Sequence, residues 1–551
     1  MTLPFGLKAL PSWPAAGSAL LLLGWAWTAL PALQGNPIFV HQGLPLPLLI
    51  ASLLLVGAHW RSVPLPGWLW LLAGAITLLW SLSLGFSLLS VQWDAVLLAA
   101  LIAGRLLWRW PALPLSVAAA IGGWASLSTL ATGGRYYLSG SVMYVAAALA
   151  LPALGVFVAL CLRQGGPRGW AGWLRWGAAL TAVALLYLIG ISASRAAYVP
   201  ALLMLGALAW RSRKEGVSWR SLALVGLGLL GGVALLDALL FDHAVLQAVG
   251  FKALDSLHNA AREGGNLETR LQMWEVALHA WLTHPLGLGS GAYGDVFQST
   301  QAWPIYYSRF AHNVFLETLA GGGLLRLSLL SWLLWTSWLS GWRSRRWPAA
   351  LGLAGLWLNM CFDTTGNIPG TLLIAFLSAG LALGAAQPNT VSERAGEVWP
   401  ALGAGLSALV VLGVALAWWW PQPAARQALW RGLWPPAVVG IPPGLRQPLL
   451  AQAVARFPGS VALQKQWTAA APPAQQQQRL RAATRAIPYG DAAFYRRLAQ
   501  VQRQAGDPAA AQTEALCLSR FGRARSPLGL PLSAGGIAGT SVRHLCLGSA
   551  P

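Results

Sequence analysis

The stretch VMYVAAALALPALGVFVALCL, residues 142–162, contains no charged side chain and decides the fold class. As an α-helix it can cross the hydrocarbon core of a bilayer, which takes about 20 apolar residues. Similar apolar runs lie on both sides of it, at 17–33, 45–59, 67–84, 94–108, 114–131, 174–192, 196–210, 221–241, 316–340, 348–363, 369–386 and 401–419. Backbone polar groups cannot stay unpaired in hydrocarbon, so each run is predicted to be helical. The chain is therefore predicted to be an all-α polytopic membrane protein with about 13 transmembrane helices.

Composition divides the chain into two parts. Of its 551 residues 56% are hydrophobic and 10% are charged, with a mean hydropathy of +0.56, whereas soluble proteins carry about 25% charged residues. The apolar runs end near residue 420, and residues 421–551 are rich in Arg, Gln and Ala. We predict a transmembrane domain over 1–420 and an α-helical domain over 421–551. Residues 492–521 resemble a tetratricopeptide helix pair with its turn at Gly506 and Asp507, and a generic helical domain is an equal alternative.

The basic residues predict the orientation in the membrane. One set of loops contains Arg61, Arg109, Arg163, Arg168, Arg175, Arg211, Arg213, Lys214, Arg220, Arg343, Arg345, Arg346 and Arg394. The alternate short loops, near 35–44, 85–93, 132–141 and 364–368, contain only Arg135. Because positively charged loops stay in the cytoplasm, the first set is predicted to be cytoplasmic. The N-terminus, preceding an uncleaved signal anchor, is then cytoplasmic, and the loop 242–315 and the tail 421–551 are periplasmic.

The net charge of +21 invites a nucleic-acid hypothesis, which the positions of the charges do not favour. Much of the Arg lies in short loops, as topogenic charges do. There is no surface with interleaved basic and aromatic residues of the kind that binds single strands. Most of the 32 Trp lie near the ends of the apolar runs, where aromatic rings favour the lipid–water interface. We therefore expect a lipid bilayer as partner and no nucleic acid.

The loop 242–315 is the candidate functional region because it is long, polar and placed between two spans. Asn266–His284 has helical apolar spacing and is predicted to be a helix. The run PLGLGSG (285–291) ends that helix. Its glycines match part of a dinucleotide-binding fingerprint, but no strand precedes them, so a tight turn is the favoured interpretation.

Three segments carry a family resemblance. They are SASRAAYVPALLML (192–205), TRLQMWEVALHAWLTHPLGLGSGAYGDVF (269–297) and AHNVFLETLAGGGLLRL (311–327). Together they resemble the Wzy_C region of O-antigen ligases, O-antigen polymerases and PglL-type protein O-oligosaccharyltransferases. With the span pattern, the similarity covers about residues 15–420.

The resemblance implies a donor glycan on undecaprenyl diphosphate. Arg195 and Arg270 match the family's arginines, and a guanidinium suits a diphosphate because it stays charged and presents a planar fork. His312 matches the family's His, which implies a general base that deprotonates the acceptor hydroxyl. Its rate contribution should fall on acidification through a pKa of about 6.5 if the imidazole is unperturbed. From the residues alone, Arg195 can be a snorkelling interfacial Arg, Arg270 an exposed helix residue, and His312 a capping or packing residue.

Further candidates are weaker. Arg135 can reach the diphosphate, and Asn313, Glu317 and Asp363 are assigned supporting roles, although each has an equally simple structural explanation. Arg105, Arg326 and Asp94 lie near or within spans, where an ionisable residue suggests function. No spacing of ligands predicts a metal, and no cofactor is expected. Cys517 and Cys546 form a disulfide or stay free thiols, while Cys161 and Cys361 are predicted to be inert packing residues.

We predict an inverting, metal-independent membrane glycosyltransferase of the bacterial inner membrane. It would move a glycan en bloc from undecaprenyl diphosphate to an acceptor hydroxyl on the periplasmic side. The preferred acceptor is a Ser or Thr of a protein such as a pilin, because PglL-type enzymes often carry a helical tail. The alternatives are ligation to lipid A–core and O-antigen polymerisation. A rival of another class is a transporter or flippase of lipid-linked sugars, which would place polar groups near mid-bilayer and show internal repeats.

Overall fold

The computed structural model describes residues 62–81, 84–131, 140–162, 170–192, 194–240, 265–294, 310–384, 461–486 and 492–521, with a few positions between 49 and 59 and between 447 and 455. Every regular element within these ranges is a helix, which confirms the all-helical fold class. The α-helices are α1 Leu65–Ile76, α2 Leu84–Leu106, α3 Ala112–Ala131, α4 Gly140–Leu162, α5 Trp170–Ile191, α6 Arg195–Lys214, α7 Trp219–Leu240, α8 Gly265–Thr283, α9 Val314–Trp342, α10 Trp347–Met360, α11 Pro369–Leu383, α12 Val461–Ala469, α13 Pro473–Ala486, α14 Ala492–Gln504 and α15 Ala509–Phe521.

The protein is an integral membrane protein. The ten runs predicted between residues 67 and 386 each fall on a described helix. Four helices, α4, α5, α7 and α9, are long and apolar enough to cross a membrane by length and composition, and α1 and α11 are shorter apolar helices. The runs 17–33 and 401–419 lie outside the described residues, as does part of 45–59. The total of thirteen spans therefore stays a prediction.

The prediction of a loop over 85–93 is wrong, because α2 begins at Leu84 and Asp94 lies inside it. Two polar side chains of this segment donate hydrogen bonds within the fold. Ser87 donates from Oγ to the carbonyl oxygen of Ser290 at 2.7 Å, and Gln92 donates from Nε2 to that of Leu88 at 3.3 Å. A helix interior accepts polar side chains when their hydrogen bonds are made, so their presence did not break the span.

The core is formed by α2 and α11, which pack closely together, and by α4, which packs against α3, α5 and α10. Small residues line these contacts, as is common where membrane helices approach closely. By contrast α7 leaves most of its leucines exposed, with Leu224 at 71% and Leu239 at 70% of their full surface. Such a surface is apolar enough to face lipid, so α7 belongs to the periphery of the bundle.

Two helices of the bundle run in the same direction and fix the two ends of the molecule. Trp210 near the end of α6 stacks on Trp342 at the end of α9, with ring centroids 6.0 Å apart. The Arg211 guanidinium lies over the same Trp342 ring at 5.4 Å from its centroid. Met204 of α6 lies against Gly355 of α10, and Val314 of α9 lies against Gly366 just after α10, so both helices start on the side of the bundle away from these basic residues.

The described tail is a set of short helices. Helices α14 and α15 pack against each other, and the turn between them contains Gly506 at φ 68°. Asp507 accepts from the backbone N–H of Ala509 at 2.9 Å and so caps α15. Two helices are thus observed over 492–521, while their likeness to a tetratricopeptide pair stays a prediction. Cys517 is disulfide-bonded, and Cys546 lies outside the described residues, whereas Cys161 and Cys361 are free.

Candidate functional site

The start of α9 is held by two side chains. Asn313 is its N-cap and accepts from the backbone N–H groups of Phe315 at 3.0 Å and Leu316 at 3.1 Å. Glu317, one turn later, accepts from the N–H of Ala311 at 3.2 Å. The two acceptors lie on either side of residue 312 and fix the chain that enters the helix. Asn313 and Glu317 thus hold the backbone on both sides of His312, while their supporting role in the site stays a prediction.

His312 lies between these anchors in a strained conformation. Its φ of 52° is in the left-handed region, and it is the one described residue other than glycine with a positive φ. Such a conformation costs of order 1–3 kcal/mol and concentrates at functional sites. The imidazole is largely buried, and its Nδ1 has no hydrogen-bond partner among the described residues. A buried polar atom of this kind is uncommon, because it has lost its water without gaining another partner.

Burial and a nearby cation keep this imidazole neutral. Burial removes the hydration of the imidazolium, and the positive charge of Arg270 then repels it, so the pKa of His312 is lowered from 6.5 to about 4. From the sequence, an unperturbed His312 is expected to lose its function as a base near pH 6.5. In the structure the corresponding pKa is about 4. Arg270 lies on α8, the helix that packs against α9.

Helix α8 reaches this position through its packing on α9. Met273, Ala277 and Ala280 of α8 join Ala320 of α9 in one buried apolar cluster. Tyr293 belongs to the same cluster and donates from its hydroxyl to the carbonyl oxygen of Met273 at 2.8 Å. Burial, and then the negative charge of Glu317, raise the pKa of Tyr293 well above its usual value. Tyr293 is thus a neutral hydrogen-bond donor that ties the loop to α8.

Helix α9 is broken at Gly323, which has φ 69° and ψ −175°. The predicted single span 316–340 is therefore two segments in contact. The turn 285–291 fills the break: Leu288 N–H donates to the carbonyl of Ala320 and Gly289 N–H to that of Gly321, both at 2.9 Å. A Cβ at position 323 would overlap the carbonyl oxygen of Pro285, so the close approach requires glycine. The backbone N–H groups that a phosphate would need are engaged with α9, which agrees with the choice of a turn over a nucleotide site.

Beyond the break, Arg326 is buried at 5% exposure. Its Nη2 forms an ion pair with the Asp94 carboxylate, and its Nη1 donates to the Ser290 hydroxyl. The guanidinium also lies over the Trp70 ring, 5.2 Å from its centroid. Both charged residues are visible in the sequence. Their pairing is not, because it joins positions 232 residues apart. The signal was present, since a charge inside a membrane helix requires a partner.

Three other residues that the sequence suggested for the site are Arg195, Asp363 and Arg135. Arg195 begins α6, and so its backbone lies at the same end of the bundle as His312. Asp363 is buried just after α10, and its neighbour Phe362 lies 6.0 Å from Trp274 of α8, between ring centroids. Arg135 lies outside the described residues. His312, Arg270, Asn313 and Glu317 are thus brought together, and the segments of Arg195 and Asp363 lie at the same end of the molecule.

One family model matches a part of the chain. The chain carries a Wzy_C domain, O-antigen ligase, at residues 180–331. The comparison with curated proteins found no match. The Wzy_C domain runs from α5 through the break in α9, so it contains Arg195, Arg270 and His312. The match confirms the predicted resemblance to the Wzy_C region and supports a glycosyltransferase of the O-antigen ligase type. Among the described residues there is no group of three or more His, Cys, Asp or Glu side chains that could hold a metal ion.

Proposed function

We propose that the protein transfers a glycan en bloc from undecaprenyl diphosphate to an acceptor hydroxyl, with His312 as general base. The hydroxyl oxygen attacks the anomeric carbon, the bond from that carbon to the diphosphate oxygen breaks, and the anomeric centre inverts. The hydroxyl proton passes to His312, and undecaprenyl diphosphate leaves with the bonding electrons. No metal takes part in this scheme.

One observation carries the assignment: a strained, largely buried His312 whose imidazole is held neutral at the start of α9. A neutral imidazole can take a proton at physiological pH, whereas an imidazolium cannot. Its buried Nδ1, which lacks a partner among the described residues, is an atom that an acceptor hydroxyl would satisfy. Asn313 and Glu317 hold the backbone on both sides, which supports a fixed direction of approach for the acceptor.

Arg270 is proposed to bind the donor diphosphate. It lies near enough to His312 for their charges to interact, so a phosphate on Arg270 would leave the anomeric carbon close to the base. Arg195 is proposed as a second phosphate ligand because α6 starts at the same end of the bundle, and Arg135 as a third. Asp363 is proposed to support the site from the segment after α10. A guanidinium pair gives the planar, charge-assisted hydrogen bonds that stabilise a departing diphosphate.

The acceptor is proposed to be a protein Ser or Thr, such as a pilin residue. The helical tail supports this choice, since its helices pack on one another and offer a surface that could hold a polypeptide. Ligation to lipid A–core and O-antigen polymerisation use the same chemistry. Intact-mass analysis of periplasmic proteins and of lipopolysaccharide, with and without the gene, separates the three. Glycan lost only from lipopolysaccharide would refute the protein acceptor.

The reaction is proposed to occur on the periplasmic side of the inner membrane, with the N-terminus in the cytoplasm. The disulfide at Cys517 supports a periplasmic tail, because disulfides persist in oxidising compartments. A cysteine introduced between residues 211 and 220 should be shielded from an impermeant thiol reagent added outside, and one near Gly264 should react. The reverse pattern would put the site in the wrong compartment.

The test of the catalytic role is single-turnover transfer from purified lipid donor in reconstituted vesicles. His312→Ala should retain donor binding and lose roughly 100-fold of the rate or more. His312→Gln keeps a hydrogen-bonding side chain but not a base, so it should be nearly as inactive. His279→Gln, on α8, is the matched control and should transfer normally. Wild-type transfer by His312→Gln would overturn the proposal, and translocation of donor without a new glycosidic bond would indicate a transporter.

A further inference from the structure

The turn 285–291 enters the membrane domain. Its partners Ala320 and Gly321 lie two turns along α9 from Val314, which at 1.5 Å per residue is about 10 Å beyond the helix start. Irregular backbone at such depth is tolerated only where protein surrounds it and satisfies its polar groups. The Trp80 indole meets this need by donating to the carbonyl oxygen of Gly287 at 2.9 Å, and Ser87 by donating to that of Ser290.

One side chain joins the turn to three helices. Arg326 of α9 donates to the Ser290 hydroxyl in the turn, pairs with Asp94 of α2 and lies over Trp70 of α1. Thr77, just after α1, completes the cluster by accepting from the N–H of Ser290 at 3.4 Å. All of these polar groups are buried. The turn is therefore anchored from the side of the break opposite to His312.

Stability alone does not account for this arrangement. Replacing a buried ion pair by apolar residues of similar volume is often neutral or stabilising, because desolvation offsets the attraction of the charges. A guanidinium with several directed donors does supply geometry, since it fixes its partners in one plane. Here the partner that it fixes is the turn at the end of α8, the helix that carries Arg270.

We propose that Arg326, paired with Asp94, is a positioning residue that locks the turn 285–291 into the break of α9 and thereby holds α8, the helix that carries Arg270, on the part of α9 that follows His312. This proposal rests on the proposed function for its catalytic consequence, but the locking itself does not. Arg326 touches neither donor nor acceptor. It acts through Ser290, the turn and α8, all of which move away from α9 together if the lock opens.

Two variants open the lock without leaving an unpaired charge. Ser290→Ala removes the hydroxyl that Arg326 binds and leaves the ion pair with Asp94 intact. The double variant Asp94→Leu with Arg326→Met removes both charges and retains apolar volume. Ser337→Ala is the matched control, because Ser337 is buried on the same helix and its hydroxyl donates only to Leu333, at 2.7 Å, among the described residues.

The first measurement is hydrogen–deuterium exchange of the peptide that covers residues 285–293 in the full chain. The N–H groups of Leu288 and Gly289 should be protected in the wild type and should exchange about tenfold faster or more in both variants. The second is the pH dependence of kcat/KM for transfer. Transfer should fall by about tenfold or more, since small misplacements of catalytic groups have effects of that size. The acid midpoint should also move from near 4 toward 6.5 as Arg270 withdraws and water reaches His312.

Each result decides one question. An unchanged rate of hydrogen–deuterium exchange at residues 285–293 in both variants overturns the lock. A loss of transfer with an unchanged exchange rate and an unchanged pH profile also overturns it. Faster exchange with normal transfer overturns the link from the turn to the site. If the double variant does not fold, Ser290→Ala alone decides. Faster exchange together with an active His312→Gln would keep the lock and reject the proposed base, so the two failures are distinguishable.

Discussion

The pH profile of transfer is the sharpest consequence of the environment of His312. A pKa lowered from 6.5 to about 4 corresponds to roughly 3 kcal/mol against the protonated imidazole, taking about 1.4 kcal/mol for each tenfold change. At pH 5 an imidazole with the lower pKa is about 90% neutral, whereas one with a pKa of 6.5 is about 3% neutral. The wild type should therefore retain about 30-fold more active base at pH 5 than an unperturbed histidine would allow.

The assay is kcat/KM for transfer from lipid donor between pH 7.5 and pH 4, since that ratio reports groups of the free enzyme. Activity should be nearly level down to about pH 5 and half lost near 4. In Arg270→Gln the midpoint should rise only part of the way toward 6.5, because burial is the larger cause of the lowered pKa and persists. Return to neutral pH should restore the rate, which controls for unfolding. A wild-type midpoint near 6.5 would refute the buried environment or the role of His312 as base.

Three further predictions follow from the same site. Arg195→Lys and Arg270→Lys keep the charge but lose the planar fork, so each should reduce transfer on the order of tenfold or more at unchanged thermal stability; near-normal transfer in both would exclude a phosphate role. Gly323→Ala places a side chain at φ 69° against Pro285, and thermal unfolding should show about 1–3 kcal/mol of destabilisation, whereas Gly226→Ala, with open space around it, should show none. A chelator should leave the rate of transfer unchanged at every pH, and a loss restored by added divalent cation would contradict the metal-free scheme.

The sequence predicted most helices because membrane spans have a strong apolar signal. The helix predicted over Asn266–His284 is observed at Gly265–Thr283, and the run starting at Pro285 ends it as expected. The start of α2 was missed because buried Ser87 and Gln92 resemble loop residues until their partners are known. Hydropathy reports the average polarity of a segment and carries no information about which polar atoms find partners in space.

The candidate site was predictable where a motif kept its residues close in sequence, as with His312, Asn313 and Glu317. The break of α9 was missed although three glycines precede Leu324, because glycine is also common in straight membrane helices. The pairing of Asp94 with Arg326 lies beyond any local pattern, since the contact exists only after α2 and α9 have packed. The lowered pKa of His312 was equally out of reach, because burial is a property of the assembled structure.

The contact between Arg326 and Asp94 also bears on how the enzyme is made. The two residues are separated by 232 positions, and the turn that they hold is translated before α9. During synthesis, α8 and the turn therefore cannot pack into the bundle until α9 has entered the membrane beside α2. Non-local contacts of this kind form late in folding. A chain that is not yet inserted beyond α8 lacks both His312 and the helix on which α8 packs, so under the proposed function it would be unable to transfer glycan.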